Sequence, residues 1–266
     1  MSQYHSLAVC ISGRMSGFDV TSKLFEHWNS IYDNVEFYFF ISTWKDVSSE
    51  YSETRGPVED WDFSKYKFIT KYEKVDINDA WAREKRLKVS ACYSYSLYRA
   101  QQLRRECKEE FDGVIQTRSD MFIDRQTLDS LINLIDKEGE LSKKIFYSPS
   151  PLRYEDKRFM LTHDYFGFAH PKVMDIYSLM YFDAHIINLV SMTFHYMNGT
   201  HLVNRNIQVI CIPSVGLTSV MPQTFKEIHK WRMYDAISSL IEKRGVEWIF
   251  YKKRKIEELI KELKSL

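Results

Sequence analysis

Between Phe111 and Asp124 the chain reads FDGVIQTRSDMFID, and this stretch constrains the fold more than any other. Val114-Ile115 is a short run of β-formers of the kind that suits a strand covered on both faces. It drives straight into Thr117-Arg118-Ser119-Asp120 and then returns to Met121-Phe122-Ile123. A buried strand does not keep an arginine and an aspartate in its interior without partners. The polar group therefore belongs where the strand leaves the core, at the carboxyl edge of a sheet, where open α/β sheets bind their ligands. A carboxylate there can hold a divalent cation, and an arginine can fork onto a phosphate. A surface turn carrying an ion pair accounts for the same residues equally well.

The flanking segments favour a parallel sheet. Ser6 to Ser12 reads as a buried strand ended by Gly13-Arg14-Met15-Ser16-Gly17. Val20, Leu24, Trp28 and Ile31 then recur at helical spacing, and Val35 to Ile41 is a second buried strand running into Ser42-Thr43-Trp44. Strand, helix and strand at this spacing form a βαβ unit. Tyr66 to Ile69 is a candidate third strand. Residues 78–110 read as two helices with a small-residue face (Val89, Cys92, Ser96, Ala100, Leu103, Cys107). Arg99, Arg104, Arg105 and Lys108 occupy the opposite, solvated face. Residues 125–137 read as an amphipathic helix, and 144–148 and 163–169 as strands. Pro171 opens a helix at its first turn, where a missing N–H costs nothing. Ile207 to Ile212 is a last strand with Val215 to Val220 beside it. The expected class is α/β, a mostly parallel central sheet flanked by helices. Its first domain covers 1–222, and a helical C-terminal extension, 223–266, packs on it.

Composition excludes little. The chain has 266 residues, enough for one large α/β domain. Lys and Arg total 37 against 36 Asp and Glu, so no global field draws nucleic acid, and any basic surface is local. The cysteines (Cys10, Cys92, Cys107, Cys211) form no CxxC pair, and Cys10 and Cys211 lie in apolar strand-like runs as small buried thiols. No apolar stretch is long enough to cross a bilayer, and the first residues lack a signal-peptide layout. A cytoplasmic protein is expected. Asn198-Gly199-Thr200 matches a glycosylation sequon by chance.

Val9-Cys10-Ile11-Ser12-Gly13-Arg14, Phe40-Ile41-Ser42-Thr43-Trp44, Ile115-Gln116-Thr117-Arg118-Ser119-Asp120 and Asp164-Tyr165-Phe166-Gly167-Phe168 follow one another in an ordered set. That set resembles nucleotide-sugar-dependent glycosyltransferases of the GT-A type, in the surface-polysaccharide and phage-type group. Each motif is short and degenerate, and their order carries the specificity. The resemblance implies a GT-A-like (Rossmann-type) fold, a nucleotide-diphosphate sugar donor and, often, Mn²⁺ or Mg²⁺. It names no sugar.

Physically the pieces can cooperate. A glycine at the end of the first strand lets backbone approach a ligand, and Arg14 can neutralise a diphosphate beside Ser12 and Gly13. A plain strand-to-helix turn is the alternative. Thr43 and Trp44 reach the same edge, Trp44 either supporting the nucleotide or packing. The resemblance assigns Asp120 to a metal that bridges the phosphates and stabilises the departing nucleoside diphosphate. The usual double acid is absent, since Thr117 holds the earlier position. Metal independence, with Arg118 carrying part of the charge, is therefore an open alternative. Asp164 is the candidate general base for the acceptor hydroxyl in an inverting transfer. His163 either assists it or is a hydrogen-bonded strand-end residue, and His201 is expected on the surface.

The acceptor stays open between a glycan and the hydroxylated bases of phage DNA. For DNA, Arg83, Lys85, Arg86, Lys88, Arg99, Arg104 and Arg105 would form a phosphate-binding patch. The segment Lys252 to Leu266 is basic and amphipathic, suited to peripheral membrane contact or to packing on the domain. A catalytically degenerate nucleotide- or glycan-binding module of the same fold is the non-enzyme alternative.

Overall fold

The computed structural model describes residues 4–15, 17–45, 61–80, 88–149, 152–153, 160–162, 165–186, 194–212 and 217–219. The expected extension, the domain boundary at 222 and the basic segment at 252–266 lie outside these residues.

The first βαβ unit forms as the hydrophobic pattern requires. Strand β1 (His5–Ser12) and strand β2 (Val35–Trp44) pair in parallel, joined by helix α1 (Phe18–Ile31). Strand β3 (Ile69–Val75) adds to β2, and strand β4 (Gly113–Thr117) adds to the other side of β1, both in parallel. Strands β6 (Ile145–Ser148), β9 (Phe166–Ala169) and β10 (Gln208–Cys211) complete a seven-stranded sheet in the order β10-β6-β9-β4-β1-β2-β3. Strand β9 alone in this sheet runs antiparallel, to β4 and β6. The expected α/β architecture, a mostly parallel sheet between helices, is present.

Alternation along the strands assigns the two faces. Leu7, Val9 and Ile11 join Phe37, Phe39, Ile41 and Ile115 in a core with α1 and helix α3 (Arg125–Glu138). Ala8, Cys10, Phe40, Val114 and Phe146 face the opposite way. They pack with helix α2 (Lys88–Arg105) and helix α4 (Pro171–Ser178). Burial of Cys10 pushes its thiol up to about 12, which makes it an inert core residue, as expected. His170 caps α4, and Pro171 occupies its first turn.

Several expectations change. The third strand begins at Ile69 rather than at Tyr66. Tyr66 and Phe68 are apolar because their rings pack on Phe18 and Phe39, with centroids 5.2 and 5.0 Å apart. The strand proper is a largely solvated sheet edge, whose polar sequence hides it. Residues 77–79 form a single short turn, and the described helix of that region is α2. Strand β11 (Leu217–Ser219) does not lie beside β10. It pairs antiparallel with β5 (Met121–Ile123) in a separate two-stranded sheet, as β7 (Leu152–Arg153) and β8 (Met160–Leu161) do in another. All three residues of β5 are buried, so their backbone groups need a partner once the chain leaves β4. Arg104, expected on a solvated face, is 5% exposed.

Candidate functional site

The order of strands reverses around β1. From β1 the connection through α1 leads to β2 and then β3 on one side, and the return through α2 leads to β4 on the other. Such a reversal opens a crevice outside the carboxyl ends of the two central strands. Ser12-Gly13-Arg14 follows β1 there, and Arg118-Ser119-Asp120 follows β4.

The turn after β1 depends on its glycine. Gly13 has φ +96°, and a Cβ built on it would meet nothing within 4 Å, so conformation rather than space demands glycine. Its N–H donates to the Ser42 carbonyl at 3.2 Å. The two loops are tied together, because Ser119 Oγ donates to the Arg14 carbonyl at 2.6 Å. The Thr21 hydroxyl of α1 in turn donates to the Ser119 carbonyl. Backbone at both strand ends is therefore held in one arrangement.

Arg118 and Asp120 form a bidentate ion pair. Nε donates to Oδ1 at 2.8 Å and Nη2 to Oδ2 at 2.5 Å. The Asp120 side chain is 3% exposed and that of Arg118 26%, so the guanidinium is the accessible member of the pair. The ion pair of the simpler reading is present, but it is buried in a sheet-edge loop rather than set on a surface turn. Thr117, at the position where the resemblance expects an acid, uses its hydroxyl to reach the Tyr165 and Arg118 carbonyls, each at 3.3 Å.

Sequence reasoning missed a buried polar chain beneath this edge. Gln116 of β4 donates from Nε2 to Ser12 Oγ at 2.8 Å and accepts from Gln101 Nε2 of α2 at 3.0 Å. Gln101 Oε1 accepts from Arg104 Nε at 2.8 Å, and Arg104 pairs with Asp175 of α4, which Arg105 also meets at 3.1 Å. A glutamine inside a fully buried strand was the available signal, since buried amides need partners. On the other side of Ser12, Ser42 Oγ donates to Glu73 Oε1 at 3.1 Å, and Arg99 forks onto the same carboxylate at 2.9 and 2.5 Å.

Thr43 and Trp44 end β2. Thr43 is buried, and the Trp44 ring stacks on Tyr95 of α2 with centroids 6.4 Å apart, in a cluster with Val75, Ala80 and Cys92. Asp164, His163, Arg83, Lys85, Arg86 and the side chain of Lys88 lie outside the described residues. Arg99, Arg104 and Arg105, which would join a phosphate-binding patch if the acceptor were DNA, are engaged by Glu73 and Asp175.

His201 is a correction. It is buried on helix α6 (Phe194–Asn204), with Nδ1 2.9 Å from Asp183 Oδ2 and Nε2 2.7 Å from the Ile176 carbonyl. Packing of α6 against α4 and helix α5 (Met180–Ile186) encloses the ring. Asn198 of the sequon is likewise buried and donates to the Tyr177 hydroxyl at 2.9 Å.

The donor set for a divalent cation is incomplete here. Among the described residues no three His, Cys, Asp or Glu side chains converge, and both Asp120 oxygens are held by Arg118. One carboxylate with phosphate oxygens and waters can hold Mg²⁺, but here Asp120 would first have to leave Arg118.

No family profile and no curated protein matches the sequence. Solved structures share a distant likeness. The galactosyltransferase LgtC, in complex with donor and acceptor sugar analogues, aligns at TM-score 0.43 and 11% identity, over 77% of this chain and 72% of its own. The apo form of the glycosyltransferase GlyE of Streptococcus pneumoniae TIGR4 gives 0.41 and 9%, over 99% of this chain and 64% of its own. A glycosyltransferase involved in glycosylation of the major capsid of PBCV-1 gives 0.41 and 12%, over all of both chains. At these values the architecture stands on strand order and register, not on the likeness. Among the described residues no helix is long and apolar enough to cross a membrane.

Proposed function

We propose that the protein is a GT-A-type glycosyltransferase moving a sugar from a nucleoside-diphosphate sugar to an acceptor hydroxyl. The observation that carries this reading is the meeting of Ser12-Gly13-Arg14 with Arg118-Ser119-Asp120 at the strand reversal, joined by the Ser119–Arg14 hydrogen bond. Such a crevice suits a nucleotide diphosphate, because it lies at a strand reversal and guanidinium groups favour anionic oxygens.

In the proposed reaction the acceptor oxygen attacks the anomeric carbon and the bond to the nucleoside diphosphate breaks. Asp164 takes the acceptor proton in an inverting transfer. A glycan acceptor, as in polysaccharide synthesis, is preferred to DNA, because Arg99, Arg104 and Arg105 are already paired with carboxylates. The bidentate hold of Arg118 on Asp120 also supports a second reading, a non-catalytic nucleotide- or glycan-binding module.

The experiment is thermal unfolding against UDP, GDP, CMP and their sugars, with and without Mn²⁺. A ligand bound only by the folded state at about a hundredfold excess over its Kd contributes about 2.7 kcal/mol and raises Tm. A shift with one nucleotide, and release of that nucleotide from its sugar on adding acceptor, supports the transferase. Binding without turnover moves the assignment to the module, and no shift with any ligand sinks both nucleotide readings.

A further inference from the structure

We propose that the crevice meets the diphosphate with guanidinium charge alone. Arg118 and Arg14 fill the role that a divalent cation would otherwise take, and Asp120 is a positioning residue for Arg118, not a metal ligand. The inference rests on the nucleotide-binding reading above and specifies how that site handles charge.

Both Asp120 oxygens are engaged in the fork at 2.8 and 2.5 Å. A cation taking that carboxylate would have to detach it from the guanidinium in a buried loop. It would then stand beside the displaced arginine, a like-charge contact that little water screens. The burial gradient points the same way. The carboxylate is the more buried member of the pair and the guanidinium the more exposed, at 3% and 26%, so the accessible charge of the pair is positive.

The missing second acid belongs to the same arrangement. Thr117 spends its hydroxyl on backbone carbonyls, and no cluster of three acidic, histidine or cysteine ligands occurs among the described residues. Arginine suits the task, because its planar N–H donors match phosphate geometry and its charge persists at every working pH. The fork fixes the plane of the Arg118 guanidinium. Ser119 fixes the backbone of Arg14 relative to it, and Thr21 fixes Ser119. The Arg118 guanidinium is thus pre-positioned, with the Arg14 backbone held beside it, which lowers the ordering cost of binding an anion.

The test is titration calorimetry of the full chain with UDP, GDP and CDP, first in EDTA and then in Mn²⁺. The expected result is binding of at least one nucleotide in EDTA, with Kd changing by less than about threefold on adding Mn²⁺. Arg118→Lys keeps a charge but not the fork geometry and weakens binding in EDTA; Asp120→Asn, which loses half of the fork, weakens binding less and by the same factor in EDTA and in Mn²⁺. Electron paramagnetic resonance then shows no Mn²⁺ immobilised on the protein–nucleotide complex beyond that bound by free nucleotide. Binding that requires Mn²⁺ and disappears in Asp120→Asn overturns the inference while leaving the transferase reading intact. No binding in either condition overturns the transferase reading and the inference with it.

Discussion

Gln116 donates to the hydroxyl of Ser12 at 2.8 Å, joining β4 to β1 directly beneath the point where the order of strands reverses. The bond is one link of a buried chain from the crevice to Asp175 on α4, through Gln101 and Arg104. Each side chain in it except Asp175 is buried, so each is stabilising only while its neighbour is present.

Gln116→Leu would leave the Ser12 hydroxyl and the Gln101 amide without that partner. Stability should fall by about 1–3 kcal/mol, read from urea unfolding. Gln101→Leu should cost a similar amount, and the double variant less than the sum, because the second substitution removes a group the first had already orphaned. Strict additivity would show that the two glutamines do not act as a unit.

Gly167 is required by packing. A Cβ there would stand 2.2 Å from Cζ of Phe146, whose buried ring lies against Tyr177 with centroids 4.8 Å apart. Gly167→Ala should therefore destabilise by about 1–3 kcal/mol or more through overpacking. Adding Phe146→Leu should recover part of that loss. If the second change only adds to the damage, the clash is not the cause.

These particulars show where the chain was legible. Strands β1, β2 and β4 announce themselves as apolar runs because parallel strands are buried on both faces, and α1 and α3 because one face of each meets the core. The sheet-edge placement of Arg118 and Asp120 also follows from chemistry, since neither belongs inside a strand. The polar chain did not follow. Gln116 and Gln101 are 15 residues apart and Arg104 and Asp175 71, and no local pattern relates them. On α2 the error had one cause. Residue polarity alone puts Gln101 and Arg104 on the solvated face, yet Gln101 is buried against Gln116 of β4 and Arg104 against Gln101 and Asp175 of α4. His201 was misplaced for the same reason, with Asp183 and the Ile176 carbonyl as its partners. Strand β11 pairs with a strand 94 positions away by its register of Leu217 with Ile123, and nothing in its own sequence selects that partner over β10.

Asp124 caps α3, accepting from the Thr127 N–H at 2.8 Å and from its hydroxyl at 2.7 Å. Burial raises its carboxyl above the usual range, although the Thr127 bonds work against the rise. A carboxyl raised in the folded state contributes stability at low pH and loses it as pH climbs through the folded value. At neutral pH the cap is thus useful and its charge is not. Asp124→Asn should match or exceed wild-type stability at pH 7, while Asp124→Ala should lose about 0.5–2 kcal/mol. Equal damage from both would mean that the charge itself does the capping.

His201 should make stability sensitive to acid. Burial lowers its pKa from the ordinary 6.5, and Arg205 acts in the same direction. The Ile176 carbonyl and Asp183 oppose the shift without reversing it. The folded protein therefore binds a proton here less readily than the unfolded chain. Its contribution is fully present above pH 6.5 and is lost as pH falls from there toward the folded value. His170 is also lowered, chiefly by burial, and adds to the loss in the same window. Removing one titrating ring should leave the other and the carboxylates in place. His201→Gln should accordingly be less stable at pH 7.5 yet decline less steeply than wild type between pH 6.5 and 5, in parallel denaturant titrations. Identical slopes would assign the acid sensitivity to His170 and the carboxylates instead.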